Sequence, residues 1–267
     1  MFQYNDVQSC LPSLGELEQL FEQKYGRPDK VGWGPLRRHG FGYYLPTDVY
    51  EACVSKQIFD GCSWVDVGGG HDIFPDNPAL ARSLVSRCSL VVAVDPSENV
   101  KNNDFVHRRS QCFLEDYRAD ELFDLATLRM VVEHVENPKR FVVALQRILR
   151  LGGIVVVFTV NKMSPNSQVA RLIPFRLHHP IKQFFWGDDE EDTFPVHYKM
   201  NSRSVLRSLF RKHGFKEVAF ATLDDLSTFA RFPHINYAEL VGWKVLGRVG
   251  LKYPENCLLG VYKKSDR

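Results

Sequence analysis

No two cysteines in this sequence form a Cys-x-x-Cys pair. The six present, Cys10, Cys53, Cys62, Cys88, Cys112 and Cys257, are scattered, which argues against a zinc ribbon or a dithiol redox motif. Several sit in apolar runs, where a small thiol packs as a hydrophobe in a reducing compartment. Charge of one sign is also lacking. Thirty-four Lys plus Arg against 32 Asp plus Glu leave a net charge of +2, so there is no basic footprint and nucleic acid is not an expected partner. No stretch approaches the ~20 apolar residues of a membrane span. The first ten residues carry neither a basic leader nor an apolar signal segment, so the cytoplasm is the expected location. Internal repeats and low-complexity tails are missing too. What is abundant is core material: 44% of the 267 residues are hydrophobic, enough for one large α/β domain or a core with a cap.

The organising stretch is Ser63-Trp-Val-Asp-Val-Gly-Gly-Gly-His-Asp72. A short apolar run that ends in an acid and three glycines reads as a buried strand turning sharply under a ligand, since glycine lets the backbone approach closely. Leu90–Asp95 is a second unbroken apolar run ending in an acid, and a helix from Pro78 to Arg87 separates the two. Phe113 is assigned to a weaker third strand, Phe123–Arg129 to a fourth and Ile154–Val160 to a fifth. Asn137-Pro138 opens an amphipathic helix with Phe141, Leu145, Ile148 and Leu149 on one face, and Gly152-Gly153 is expected to close it. Alternating apolar strands and helices imply a parallel sheet with ligands at the carboxyl ends of its strands.

Around this core the leading segment contains a helix over Leu14–Lys24, a glycine- and aromatic-rich stretch from Val31 to Pro46, and a short helix from Thr47 to Gln57. Residues 1–57 read either as a helical cap over the ligand edge or as an arm packed on the sheet. Residues 58–267 form the core, with an inserted lid at about 161–200. The lid holds a basic and apolar piece, Val169–Trp186, and the acidic run Asp188–Asp192. Arg171, Arg176, His178, His179 and Lys182 within it suit an anionic sugar or a peripheral contact with a membrane surface, or form the solvated face of an ordinary amphipathic helix. A helix over Ser202–His213, a strand over Glu217–Leu223, a helix over His234–Val249 and a strand over Leu258–Tyr262 follow.

A dinucleotide fingerprint would place its third small residue at Ile73 and a helix start directly beyond the glycines. Neither condition is met, so NAD and FAD are disfavoured. The chain instead resembles class I S-adenosylmethionine-dependent methyltransferases over about Trp64–Val160. The resemblance rests on Val-Asp-Val-Gly-Gly-Gly, Ala-Val-Asp-Pro-Ser, Glu115-Asp116, the run from Phe123 to Val135, and Leu149-Arg-Leu-Gly-Gly-Ile-Val-Val, in the family's order. It implies a Rossmann-like α/β fold with a seven-stranded, mostly parallel sheet, helices on both faces and an antiparallel last strand.

The resemblance also implies a site. Asp66 would hold the amino group of S-adenosylmethionine, Gly68, Gly69 and Gly70 would expose backbone to its methionine portion, and Asp95 would take the two ribose hydroxyls. Asp116 would accept the adenine amino group and Arg129 would lend backbone beside the sulfonium. Pro35-Leu-Arg37 is similar to a segment of ubiquinone-pathway O-methyltransferases in which an arginine meets the cofactor carboxylate; Arg37 matches, with Arg38 competing.

For an oxygen acceptor a base is needed, and His134 and His197 are the candidates. Tyr198 and Asn201 are candidates for substrate binding. Glu-x-x-Glu-His in related enzymes binds a divalent metal, but Met130 replaces its first acid here and a thioether suits magnesium poorly, so no metal is expected. The expected reaction is methyl transfer to a small-molecule or glycan acceptor at oxygen. Nitrogen or carbon methylation of a quinone, lipid or natural-product precursor, and a silent cofactor-binding module, stay open.

Overall fold

The computed structural model describes residues 10–164, 168, 194–251 and 253–266. The lid pieces Val169–Trp186 and Asp188–Asp192 lie outside those residues. Strands β1 (Ser63–Val67) and β2 (Leu90–Asp95) are buried at every position, as unbroken apolar strands covered on both faces must be. With β3 (Arg108–Gln111), β4 (Phe123–Arg129), β5 (Leu149–Val160), β6 (Phe215–Asp224) and β7 (Glu255–Lys264) they form a seven-stranded sheet of order β3-β2-β1-β4-β5-β7-β6. Neighbours from β3 to β5 pair parallel, while β7 runs antiparallel to both β5 and β6. The expected reversed last strand is present, inserted between two earlier ones. The order reverses between β1 and β4, and a crevice opens beyond the carboxyl ends of the strands at such a point.

Helices cover both faces, as expected from the resemblance. Leu17 and Leu20 of α1 (Leu14–Tyr25), Tyr50 and Val54 of α3 (Pro46–Gln57) and Leu84 of α4 (Pro78–Val85) share one core with Trp64, Val91 and Phe158. Phe141 and Leu145 of α5 (Pro138–Ile148) and Leu206 and Phe210 of α6 (Arg203–Lys212) fill the other, against Val65, Val92 and Val157. Each such burial contributes roughly 1.5–3 kcal/mol. Two further helices, α2 (Trp33–Phe41) and α7 (Pro233–Arg248), pack on each other at one side. Among the described residues no helix is long and apolar enough to cross a membrane.

The glycine- and aromatic-rich stretch, given no element from its sequence, is helical over residues 33–41 despite Gly34 and Gly40, and the helix ends at Gly42 with φ 69°; packing against α7 overrides the low intrinsic propensity. Two local readings need correction. The third strand is the polar run Arg108–Gln111, and Phe113 follows it, 59% exposed. This strand lies at the sheet edge and pairs with β2 alone, where an apolar pattern is not required. Finally, Gly152-Gly153 does not end α5. The helix stops at Ile148 and both glycines lie inside β5, where pairing with β4 slips between Phe123 and Leu125. Gly152 takes φ 81°, and a Cβ on Gly153 would sit 2.9 Å from the Arg150 carbonyl oxygen, so the irregularity requires both glycines.

A buried polar network joins the leading helices to the site. Lys24 Nζ lies 3.0 Å from Asp48 Oδ1 and 2.9 Å from Glu51 Oε1. Glu51 Oε2 accepts from Asn77 Nδ2 at 2.9 Å, while Asn77 Oδ1 caps α4 by accepting from the Leu80 N–H at 3.2 Å. The far end of the loop after the glycine turn is thereby anchored to α1 and α3.

Candidate functional site

Asp66, the fourth residue of the fully buried strand β1, is 3% exposed. Thr127, opposite it on β4, donates from Oγ1 to Asp66 Oδ1 at 2.6 Å and accepts from Trp64 Nε1 at 2.7 Å. Burial pushes the Asp66 carboxyl up to about 7, against the pull of the Thr127 hydrogen bond and the nearby positive charge of Arg129. A buried acid that titrates near neutrality, bonded to a hydroxyl and, among the described residues, to no cationic side chain, suits a positively charged ligand.

The glycine turn follows. Gly68 has φ 73°, and a Cβ there would collide with Val131 Cγ2. At Gly69 a Cβ would lie 2.6 Å from Asp66 Oδ2, whereas at Gly70 it would meet nothing within 4 Å. The turn is thus closed on the protein side and open at its tip. Replacing Gly69 with Ala is expected to displace the Asp66 carboxylate and to destabilise the fold by about 1–3 kcal/mol, the usual cost of overpacking; urea unfolding beside wild type measures it.

Asp95, at the end of β2, is 7% exposed and accepts from the Gly70 N–H at 3.1 Å and the Ser97 N–H at 2.7 Å. One bond on each oxygen leaves lone pairs for a ligand diol. Asn103, fully buried, holds the turn from behind by donating from Nδ2 to the Gly69 carbonyl at 3.1 Å.

Tyr50 of α3 also belongs here. Its ring stacks on Phe158 at 5.2 Å, and its buried hydroxyl has no hydrogen bond of normal geometry. Burial and then the Asp66 charge push that hydroxyl's pKa well up, with Arg129 opposing. An orphaned donor beside a buried acid and an open glycine tip is what a polar ligand such as the methionine end of S-adenosylmethionine would satisfy.

Arg129 closes β4 and is followed by Met130 in left-handed backbone, φ 53°, whose N–H donates to the Phe158 carbonyl at 2.8 Å. Farther along, Glu133 is buried and accepts from Thr159 Oγ1 at 2.8 Å; burial raises its carboxyl above the ordinary range. His134 Nδ1 lies 3.1 Å from the Pro195 carbonyl oxygen, and its ring meets Phe194 edge-on at 6.2 Å. His197 is exposed, with its N–H on the Glu133 carbonyl at 2.7 Å, and Tyr198 binds the same oxygen at 3.1 Å. Asn201 is fully buried, its Nδ2 donating to Thr159 Oγ1 at 2.8 Å and to the Val160 carbonyl at 3.0 Å.

The structure therefore brings Asp66, Gly68, Gly69, Gly70, Asp95 and Arg129 together, and groups His134, His197, Tyr198 and Asn201 beyond β4. Two candidates stand apart. Arg37 is buried on α2, over the Trp33 ring at 5.5 Å, with one nitrogen 3.3 Å from the Pro233 carbonyl and Nε without a partner. Among the described residues no hydrogen bond ties it to the glycine turn and no acid pairs with it; a buried guanidinium so placed is costly and fits a ligand carboxylate. Asp116 is largely exposed, 4.0 Å from Arg140. Sequence reasoning missed Tyr50, Asn103, Thr127 and Thr159. For Thr127 a signal existed: a hydroxyl inside the otherwise apolar run Leu125-Ala-Thr-Leu128 needs a buried partner.

Residues 36–219 match a family model described as a methyltransferase domain. The mitochondrial ubiquinone biosynthesis O-methyltransferase of Dictyostelium discoideum is 27% identical over 177 residues, 55% of this chain and 53% of that one. The ubiquinone biosynthesis O-methyltransferase of Agrobacterium fabrum is 30% identical over 112 residues, 39% of this chain and 42% of that one. The chain spans about half the length of the curated relatives it matches. Among solved structures, Bacillus subtilis YcgJ superposes with a TM-score of 0.51 at 12% identity, covering 82% of this chain and 99% of its own. The [4+2]-cyclase SpnF gives 0.51 at 15% identity, covering 95% and 93%. At such identities these two speak to the fold alone.

Proposed function

Because this chain belongs to the methyltransferase-domain family, whose methyl donor is S-adenosylmethionine, we propose that it transfers a methyl group to an oxygen of a small-molecule or glycan acceptor. The observation that carries this reading is the buried Asp66 carboxylate beside a glycine turn open at its tip, with a second acid, Asp95, at the end of the next strand. The named activity of the relatives favours oxygen.

In this reading Asp66 meets the amino group, the backbone of Gly68, Gly69 and Gly70 lines the methionine portion, and Asp95 takes the ribose diol through the lone pairs left on its oxygens. Asp116 takes the adenine amino group, Arg37 the carboxylate, and Arg129 lends its backbone beside the sulfonium. S-adenosylmethionine supplies an activated methyl on a positively charged sulfur. What remains for the protein is alignment and removal of the acceptor's proton. His134 is the base, with His197 the second candidate, and Tyr198 lines the acceptor side.

Residues 1–57 serve as the cap, contributing Tyr50 to the site, and the insert at 161–200 as the lid that selects the acceptor. The cytoplasm is the proposed location. Titration calorimetry with S-adenosylmethionine tests the reading, with micromolar binding expected; no heat at concentrations well above that range overturns it. Labelled methyl transfer into acceptor pools then identifies the atom modified.

A further inference from the structure

Beyond the acceptor side, the chain from Phe194 to Asn201 lies as a strap across the Val132–His134 turn. The N–H groups of His197 and Tyr198 converge on one oxygen, the Glu133 carbonyl, at 2.7 and 3.1 Å. Lys199 Nζ donates to the Glu136 carbonyl at 2.7 Å. Tyr198 takes φ 52° to do this, a left-handed conformation that a non-glycine residue keeps only where its surroundings hold it.

The hold comes from inside. Asn201 Nδ2 can only donate, so Thr159 Oγ1 accepts from it at 2.8 Å and sends its own hydrogen to Glu133 Oε2, also at 2.8 Å. The Asn201 carbonyl accepts from the Lys162 N–H at 3.0 Å. A one-directional chain, Asn201 to Thr159 to Glu133, thus joins the end of the strap to the turn that the strap crosses, within the fold's interior.

The strap also meets His134, whose Nδ1 faces the Pro195 carbonyl at 3.1 Å. A carbonyl oxygen has only lone pairs to offer, so Nδ1 must carry the hydrogen, and in the neutral ring the free lone pair is then on Nε2. We propose that Glu133, Thr159 and Asn201 are positioning residues that pin this strap and so fix neutral His134 as its Nδ1–H tautomer, leaving Nε2 to take the acceptor's proton. Only the last clause rests on the methyl-transfer reading. Asn201 thereby acts through the strap rather than by touching the acceptor.

Nitrogen-15 NMR of the histidine rings reads the tautomer directly, with His134→Gln used to assign the signals. The expected wild-type result is a protonated Nδ1 and an unprotonated Nε2 at His134 in the neutral ring. In Thr159→Val the Nε2–H form is expected to gain roughly tenfold over the Nδ1–H form, the scale of one hydrogen bond. Thr159→Ser is expected to restore the wild-type ratio, and S-adenosylmethionine affinity by calorimetry to stay unchanged in both. An Nε2–H ring in the wild type, or a ratio unmoved in both Thr159→Val and Asn201→Ala, overturns the proposal. The wild-type measurement needs no variant to fold. Failure of the functional reading is separate: it would show as no methyl transfer while the tautomer stays locked.

Discussion

Replacing Asp66 with Asn is expected to weaken S-adenosylmethionine binding by roughly 10–100-fold, the scale of a charge-assisted hydrogen bond, while making the ligand-free protein more stable. Both effects have one cause. Burial raises the carboxyl from 3.8 to about 7, so its ionisation opposes folding. This penalty is absent below the unfolded value, grows as pH rises and is complete above about 7, where it corresponds to a cost on the order of 4 kcal/mol. An amide can keep the bond from Thr127 without that charge. The ligand-free wild type should therefore lose stability as pH climbs from about 4 to 7 through this group, and the Asn variant should lack that component. Cofactor affinity should fall as pH drops below about 7, with proton release on binding, because a cation favours the ionised acid. Thermal melts and calorimetry at three pH values check all of this. An Asn variant that binds like wild type would remove Asp66 from the site.

His134→Gln is expected to lower kcat by about 100- to 10,000-fold, the range general-base catalysis contributes, with cofactor affinity unchanged. Glutamine can still meet the Pro195 carbonyl through its amide N–H but has no basic lone pair. The loss depends on the acceptor's chemistry. A hydroxyl needs its proton removed and should show the full drop, while an amine already carrying a free pair needs less help. Rates with whichever acceptor first shows labelled transfer, wild type beside variant, decide between these outcomes.

The strands and the glycine turn on which the candidate site is built were legible in the text of the chain. An apolar run carrying an acid at or next to its last residue, as in Trp64–Val67 and Leu90–Asp95, says where a buried strand is about to stop and what stands there. The resemblance supplied the order of those motifs, and the family match and sheet topology bear it out. What could not be read depends on contacts between distant segments. Tyr50 is one aromatic on a helix until Phe158, more than a hundred positions later, stacks beneath it, and Asn103 becomes a clamp only when the Gly69 carbonyl folds over it. The misplaced end of α5 has a different origin. Twin glycines usually terminate helices, and nothing local says that here they serve an irregularity between β4 and β5.

The position of β7 has a consequence for biosynthesis. The outer side of β5 is complete at Val160, but its neighbour on that side is finished only at Lys264. A ribosome adding 5–20 residues per second takes roughly 5–20 s to cover that interval. Throughout it, the nascent chain carries a long apolar strand with one edge unpaired, and β6, once made, waits for β7 as its sheet neighbour. Chaperone demand should be concentrated in that window, and pulse-labelled chains halted between these two points should aggregate or bind a holdase, whereas chains released after residue 264 should not.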